Sequence, residues 1–446
     1  MSGYQEAQKR IQYALELKKT ELDLSGLDLI ELPESLWQLS SLTRLFIEGN
    51  KLTNLPSSIG KLINLHLLWV FGNQLTSLPD SIGQLVKLDD LNISNNQLTG
   101  LPSSIGQLVK LTDLDASNNQ LTNLPESLGH MINLRSVNVS NNQLVSLPNS
   151  IGQLAKLANF HIFSNKLTSL PSSIGQLIRL STLDFYNNHL SSLPESIGCM
   201  INVTELNIYN NQLTSLPNSI GQMINVIEIN AYNNQLTSLP DSIGQMAKLT
   251  KLSINNNGLT SLPNSIGELN NLSRLWVFDN KLTSLPDSIG RLINLKDINI
   301  RDNKLESLPD SIGQLINLKS LVISSNNLTS LPNSIGQLIK LYQLEVAGNK
   351  LIGLPDSIGQ LMSLFILAVP SNQLTGLPDS IGQLTNLHHL NVMGNQLTNL
   401  PESLGQLVNL DDLYLNRNPL PLELKTAYEQ GAEVVLAYLR EKSQIT

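Results

Sequence analysis

The sequence predicts an α/β solenoid: a curved, horseshoe-like stack of short strands forming one parallel sheet on the concave face, with helical caps at both ends. Three observations predict it. Proline recurs every 23 residues from Pro33 to Pro401, in 17 copies. Asparagine keeps the same interval from Asn50 to Asn418, again 17 times, and no insertion interrupts either series. Within each interval, apolar residues alternate over one short stretch and then lose that period. A 23-residue unit is too small to bury a core of its own, so its neighbours must supply burial and inter-strand hydrogen bonds.

One unit reads LTRLFIEGNKLTNLPSSIGKLIN, residues 42–64. Leu45 and Ile47 have the period of two expected of a strand with one face turned inward. Asn50 follows at the turn out of the strand. An inward amide there can donate and accept at once, and so satisfy backbone groups otherwise buried unpaired. Repeated 17 times, it predicts an internal polar spine. Pro56 cannot sit inside a sheet and suits the start of a short helical return, with Ser58 as a local cap. Gly60 and its counterparts to Gly405 are expected to take positive φ and send the chain back. Pro370 falls late in its strand and is expected to weaken pairing there.

The ends depart from the repeat. Residues 1–20 are expected to form a capping helix with Ala7, Ile11, Ala14 and Leu15 on its inner face. Residues 21–418 form the array, about 18 units counting a first strand near Leu22–Leu24. Residues 419–446 form a C-terminal helical cap.

Composition narrows the function classes. Hydrophobic content is 41% while aromatics are 4%, so the core must be aliphatic. A net charge of −8 argues against a phosphate-binding surface, and no nucleic-acid partner is expected. The N-terminal MSGYQEAQKRIQYALELKK mixes charges and lacks the apolar core of a secretory signal. No apolar run approaches the roughly 18–20 residues that span a bilayer, and no membrane partner is expected. The single cysteine, Cys199, allows no intrachain disulfide, which points to a reducing, cytoplasmic setting.

The pattern LxxLxLxxNxLxxLPxSIGxL resembles the leucine-rich repeat. Its 23-residue LPxSIGxLxxL variety is similar to the intracellular class of Ras-group and bacterial Roco-type proteins. The resemblance spans about residues 22–418. It implies noncatalytic protein recognition, by an adaptor or sensor in signalling, with a small GTPase or another signalling protein as partner. TELDLSGLDLIELPESL, residues 20–36, looks like the first repeat of Roco-type proteins, with Leu27 where later units have asparagine. NRNPLPLELKTAYEQGAEVVLAYLREK looks like the segment that precedes their GTPase module. The phosphate-cradling G-x-x-x-x-G-K-[ST] string does not occur in the sequence, so GTPase activity is not carried over. The alternative is the recognition arm of a multidomain enzyme, a Roco-type GTPase or an effector ubiquitin ligase, whose catalytic domain is absent from this chain.

The residues themselves offer no chemistry. The six histidines are dispersed along the chain apart from the adjacent pair His388 and His389, which in a strand would point to opposite faces. No Cys/His spacing suggests a metal, no serine sits in a nucleophile elbow, and Asp80, Asp241 and Asp287 alternate with Asn and Ser at one position, as in a solvated turn. No catalytic residue, cofactor or metal is expected, and the chain is read as a non-enzyme.

Function should then lie where the units differ, at the outward strand positions 44, 46 and 48 and their 23-residue successors. Of 19 aromatic residues, ten fall in the columns of Phe46 and Glu48. The first column holds Phe46, Trp69, His161, Trp276 and Tyr414; the second holds Phe71, Phe163, Tyr186, Tyr209, Tyr232 and Phe278. Residues 90–141 have none there. The Arg44 column carries Asp90, Asp113, Glu205, Glu228, Asp297 and Asp412 against Lys251 and Arg274, with Glu205 and Glu228 flanking the tyrosines. Exposed Trp, Tyr and Phe are typical interface anchors, and this face is the expected protein-binding site. Aromatics stacking as a strand ladder produce the same pattern, and acidic side chains also keep an exposed sheet soluble.

Overall fold

The computed structural model describes residues 2–444, in two compact units, residues 2–226 and 227–444. Each is a coil of the same 23-residue turn. The first unit holds nine three-residue strands, from Glu21–Asp23 to Glu205–Asn207, and the second holds nine more, from Glu228–Asn230 to Asp412–Tyr414. Within each unit the strands pair in parallel with a register offset of one repeat, Leu45 opposite Leu68 and Leu275 opposite Ile298. The strands are short because only three residues separate the inward leucine positions from the turns on either side. Their central residue is buried and its neighbours face out, as alternation requires.

The return side is built from five-residue 3-10 helices such as Ser57–Lys61 and Asp287–Arg291. The Ile59 and Leu62 amides donate to the Pro56 and Ile59 carbonyls at 3.0 and 3.1 Å. The i→i+3 bonds suit a return that must cross quickly and stop. Pro56 occupies the residue just before this helix, in extended conformation, and no side chain caps it. Ser58 is therefore not a cap. The equivalent hydroxyls of Ser81, Ser104 and Ser288 are buried without a hydrogen-bond partner, whereas those of Ser127 and Ser150 donate to the Ser103 and Glu126 carbonyls of the preceding repeat at 2.7 and 2.6 Å; what the position shares throughout is a small side chain.

The reason lies with the neighbouring glycine. Gly60 and its successors do not have positive φ, contrary to the sequence expectation. A Cβ on Gly83 would stand 2.5 Å from the Ser104 carbonyl oxygen and 2.9 Å from the Ser104 Cβ of the next repeat. Glycine is there because consecutive 3-10 helices touch through their backbones. Positive φ occurs instead at the turn after each strand, at Gly72 (66°), Asn95 (52°) and Asn256 (54°) among others. That is why Gly and Asn dominate the residue preceding the spine asparagine.

The asparagine spine is present as expected. Asn73 Nδ2 donates to the Ile47 and Val70 carbonyls at 3.0 Å each, and its Oδ1 accepts from the Leu52 amide at 3.0 Å. Each such side chain thus ties its own turn to the preceding repeat. Pro370 does not disturb its strand. In its column the amide is outside the ladder and bonds locally, as Ser94 N–H does to Asn92 Oδ1 at 3.0 Å. A proline there removes only that local bond, and its carbonyl still accepts from the Gly348 amide at 2.9 Å. On the outer edge, Glu126 accepts from the Asn149 and Ser150 amides of the next helix at 3.1 and 3.0 Å, and those backbone donors hold its carboxyl below the usual value.

In the first unit, helix α1 (Gly3–Glu16) starts from a Ser2–Gln5 capping box and buries Ala7, Ile11 and Ala14, while Leu15 is half-buried. In the second, helices α2 (Leu422–Glu429) and α3 (Ala432–Ser443) bury Leu424, Ala427, Val435, Leu436 and Leu439. They are joined at Gly431, whose φ of 113° suits only glycine. Among the described residues, no helix is long and apolar enough to cross a membrane.

Candidate protein-binding face

The strand pleat sorts the aromatics. Phe160 and Phe185 fall on inward positions and are buried, at 3% and 1% exposure. Phe46, Trp69, Phe71, His161, Phe163, Tyr186 and Tyr209 of the first unit point outward and are half-buried. So are Tyr232, Trp276 and Phe278 of the second. None is tucked into the core.

In the first unit these side chains form two groups. Near the N-terminus, the Phe46 and Trp69 rings meet edge to face at 5.3 Å, with Phe71 6.2 Å from Trp69. Further along, Phe163, Tyr186 and Tyr209 stack nearly parallel at 4.6 and 4.5 Å, with His161 6.4 Å from Phe163. The ladder reading of the sequence is therefore physically realised, and the rings shield one another while leaving edges to solvent. Glu205 is exposed beside this ladder.

Between the two groups lies an acidic strip, Asp90, Asp113 and Asp115. The Trp69 indole donates to Asp90 Oδ1 at 3.3 Å. Burial pushes the Asp90 carboxyl above its ordinary range; the indole bond lowers it, and the charges of Asp113 and Asp115 raise it further. A carboxylate with a raised folded-state pKa costs stability once ionised, and that cost disappears as pH falls below its unfolded value. Asp90→Asn keeps an acceptor for Trp69 and removes the charge. It is expected to raise the melting temperature at pH 7 and to match the wild type at pH 3, as read by calorimetric melts at both.

In the second unit the charges are paired internally. Glu228 accepts from Lys251 Nζ at 2.8 Å. Burial alone would raise the Glu228 carboxyl, but hydrogen bonds from Lys251 and Asn230, with the charges of Lys251 and Arg274, hold it below the usual value. The Arg274 guanidinium lies 4.8 Å over the Trp276 ring, whose indole donates to Asp297 Oδ1 at 3.3 Å. Arg301 lies 4.9 Å over Phe278. Arginine clamped on an aromatic presents a rigid, amphipathic contact surface.

Sequence reasoning missed a third ring ladder. Tyr342, Phe365 and His388 occupy one column immediately before the strands, and stack at 4.9 and 4.2 Å. The 23-residue step relates these three positions, but they lie one residue before the strand, outside the outward columns of positions 44, 46 and 48. His388 and His389 also line one cavity together, contrary to the opposite faces expected, because His388 precedes the strand His389–Asn391 and escapes its alternation. Among the described residues no group of His, Cys, Asp and Glu is arranged to hold a metal.

A leucine-rich repeat protein of Leptospira interrogans is 34% identical to this chain, with a TM-score of 0.68 over 94% of this chain and 96% of that one. The chain belongs to the leucine-rich repeat family. The leucine-rich repeat region family matches residues 59–163 and 286–369, and the leucine rich repeat families match residues 355–420, 179–200, 202–223 and 248–269. No curated protein matches the chain. YopM from Yersinia enterocolitica is 28% identical, with a TM-score of 0.58 over 93% of this leucine-rich repeat chain and 91% of YopM. The ectodomain of the Arabidopsis thaliana receptor kinase GASSHO1/SCHENGEN3, solved in complex with CASPARIAN STRIP INTEGRITY FACTOR 2, is 32% identical, with a TM-score of 0.60 over 89% of this chain and 53% of the receptor chain. Leucine-rich repeat proteins generally mediate protein–protein interaction.

Proposed function

We propose that this leucine-rich repeat chain is a noncatalytic recognition module that binds a protein partner through the outward aromatics of its strand face, as a cytoplasmic signalling adaptor of the Ras-group and Roco-type class. The observation that carries it is the half-buried, outward placement of Phe163, Tyr186 and Tyr209 in one unit and of Trp276 and Phe278 in the other. Rings held rigidly by stacking and by arginine lose little side-chain entropy on binding, which suits them as anchors. The family supports the class of partner. The LPxSIGxLxxL repeat supports the intracellular class, and the single Cys199, with no internal disulfide to form, supports a reducing compartment. The internal spending of the polar groups on backbone supports a role without chemistry of its own.

The test is affinity capture with mass spectrometry, using wild type, a Phe163→Ser/Tyr186→Ser variant and a Trp276→Ser/Phe278→Ser variant. Each variant is expected to lose specifically captured protein by about tenfold or more, given hot-spot costs of about 2 kcal/mol per ring, while still unfolding cooperatively. Equal capture by all three proteins would remove the assignment of this face.

A further inference from the structure

The third ring ladder borders a site the proposed face does not use. Tyr342, Phe365 and His388 stack with interplanar angles of 9° and 16°, and the next position of their column is Asp411. The stack of planes thus ends on the ring of His388, beside a carboxylate. Against it opens a cavity of about 390 Å³. This is within the roughly 300–1,000 Å³ range of ligand sites. It exists where Ala368 stands in a column that carries Glu345 in the preceding strand and Asn391 in the following one.

The lining is chemically one-sided. Three carboxylates, Glu345, Asp411 and Asp412, share it with the Phe365 and His388 rings, and no lysine or arginine lines it. Asp411 and Asp412 are exposed. Glu345 is held by Gln343 Nε2 at 2.6 Å, and Asp412 lies 3.4 Å from His389 Nδ1. These contacts orient Glu345 and Asp412 toward the cavity, where no lysine or arginine offsets their charge.

We propose that this cavity binds an arginine side chain of a peptide segment from a partner protein. The carboxylates call for a cation. The ring stack calls for a planar one, which can lie on the open face of His388 as the next layer while pairing with Asp411 or Asp412 in the forked geometry guanidinium allows. Lysine supplies the charge and lacks the plane. The inference borrows only the class of partner from the proposed function, and the site itself is independent of Trp276 and Phe278.

The probe is the peptide Ac-Gly-Arg-Gly-NH2, titrated into the full chain while the histidine ring protons are followed by NMR. A saturable shift confined to His388 and His389 is expected, absent with citrulline in place of arginine and several-fold weaker with lysine. Asp411→Asn/Asp412→Asn should weaken binding about tenfold, as loss of charge-assisted pairing implies. Ala368→Leu, at an outward position, should abolish it by filling the cavity. Trp276→Ser/Phe278→Ser should leave it unchanged, which separates this site from the proposed face. No saturable shift, equal binding of the citrulline or lysine peptide, or indifference to the Asp411/Asp412 variant would overturn the proposal.

Discussion

Gly290→Ala is expected to destabilise the second unit by about 3 kcal/mol, at the upper end of the usual overpacking cost. A Cβ at Gly290 would stand 2.5 Å from the Ser311 carbonyl oxygen and 2.9 Å from the Ser311 Cβ, with the Gln314 side-chain oxygen at 2.7 Å. The glutamine can swing away, but the Ser311 backbone belongs to the next 3-10 helix and cannot. Separating the two helices means separating consecutive repeats along their whole return side, where Ile289 and Ile312 are fully buried. Gly376→Ala in the same unit is the control. Nothing lies within 4 Å of its Cβ position and its φ is not positive, so its effect should stay within about 0.5 kcal/mol. Urea unfolding of both variants checks this. Equal midpoints would mean that the close approach between repeats is not what selects these glycines.

This contrast marks the boundary of what the sequence made legible. The period, the inward leucines and the asparagine spine could be read directly, because each depends on a residue type whose hydrogen bonding or hydrophobicity admits one role at that spacing. Gly60 could not be read in the same way. Glycine answers two different needs, a left-handed turn and a close approach, and only the distance to the next repeat distinguishes them. The left-handed residue was Asn95 or Gly72, one position before the spine asparagine, where two adjacent asparagines hid the difference between a turn former and a buried bridge. Pro370 departs from the expectation because the sequence does not show which amides enter the ladder. The aromatics were legible as a column, and so was their outward direction, but their stacking distances and the arginines over Trp276 and Phe278 follow from rotamers that the sequence does not show. The ladder Tyr342–Phe365–His388 was legible in principle and sits one residue outside the strand, where alternation gives no guide.

The spine yields the second large effect, and its size depends on which half of the amide is removed. Asn211 lies in the first unit at 8% exposure. Its Oδ1 accepts from the Leu190 amide at 3.0 Å, and its Nδ2 donates to the carbonyls of Phe185, Ile208 and Tyr209 at 2.9, 3.1 and 3.3 Å. The Phe185 carbonyl also accepts from Asn188 at 3.2 Å, so it keeps one partner when Asn211 is truncated. Leu190 N–H has no such reserve, and a buried unsatisfied donor costs about 1–3 kcal/mol. Asn211→Ala is therefore expected to lose about 2–3 kcal/mol, with little dependence on pH. Asn211→Asp separates the two halves. It retains an acceptor for Leu190 but turns an ionised oxygen toward three carbonyls in a buried place, so at pH 7 it should be worse than alanine. Such a carboxyl has its folded-state pKa raised by burial and by the carbonyls. The folded protein then binds the extra proton, and stability must rise as pH falls through that window. Once neutral, the acid can donate again. Melts of the two variants from pH 7 to pH 4 should converge or cross. Parallel curves would show that the spine asparagine acts through its shape and not through the hydrogen bonds that join one repeat to the one before it.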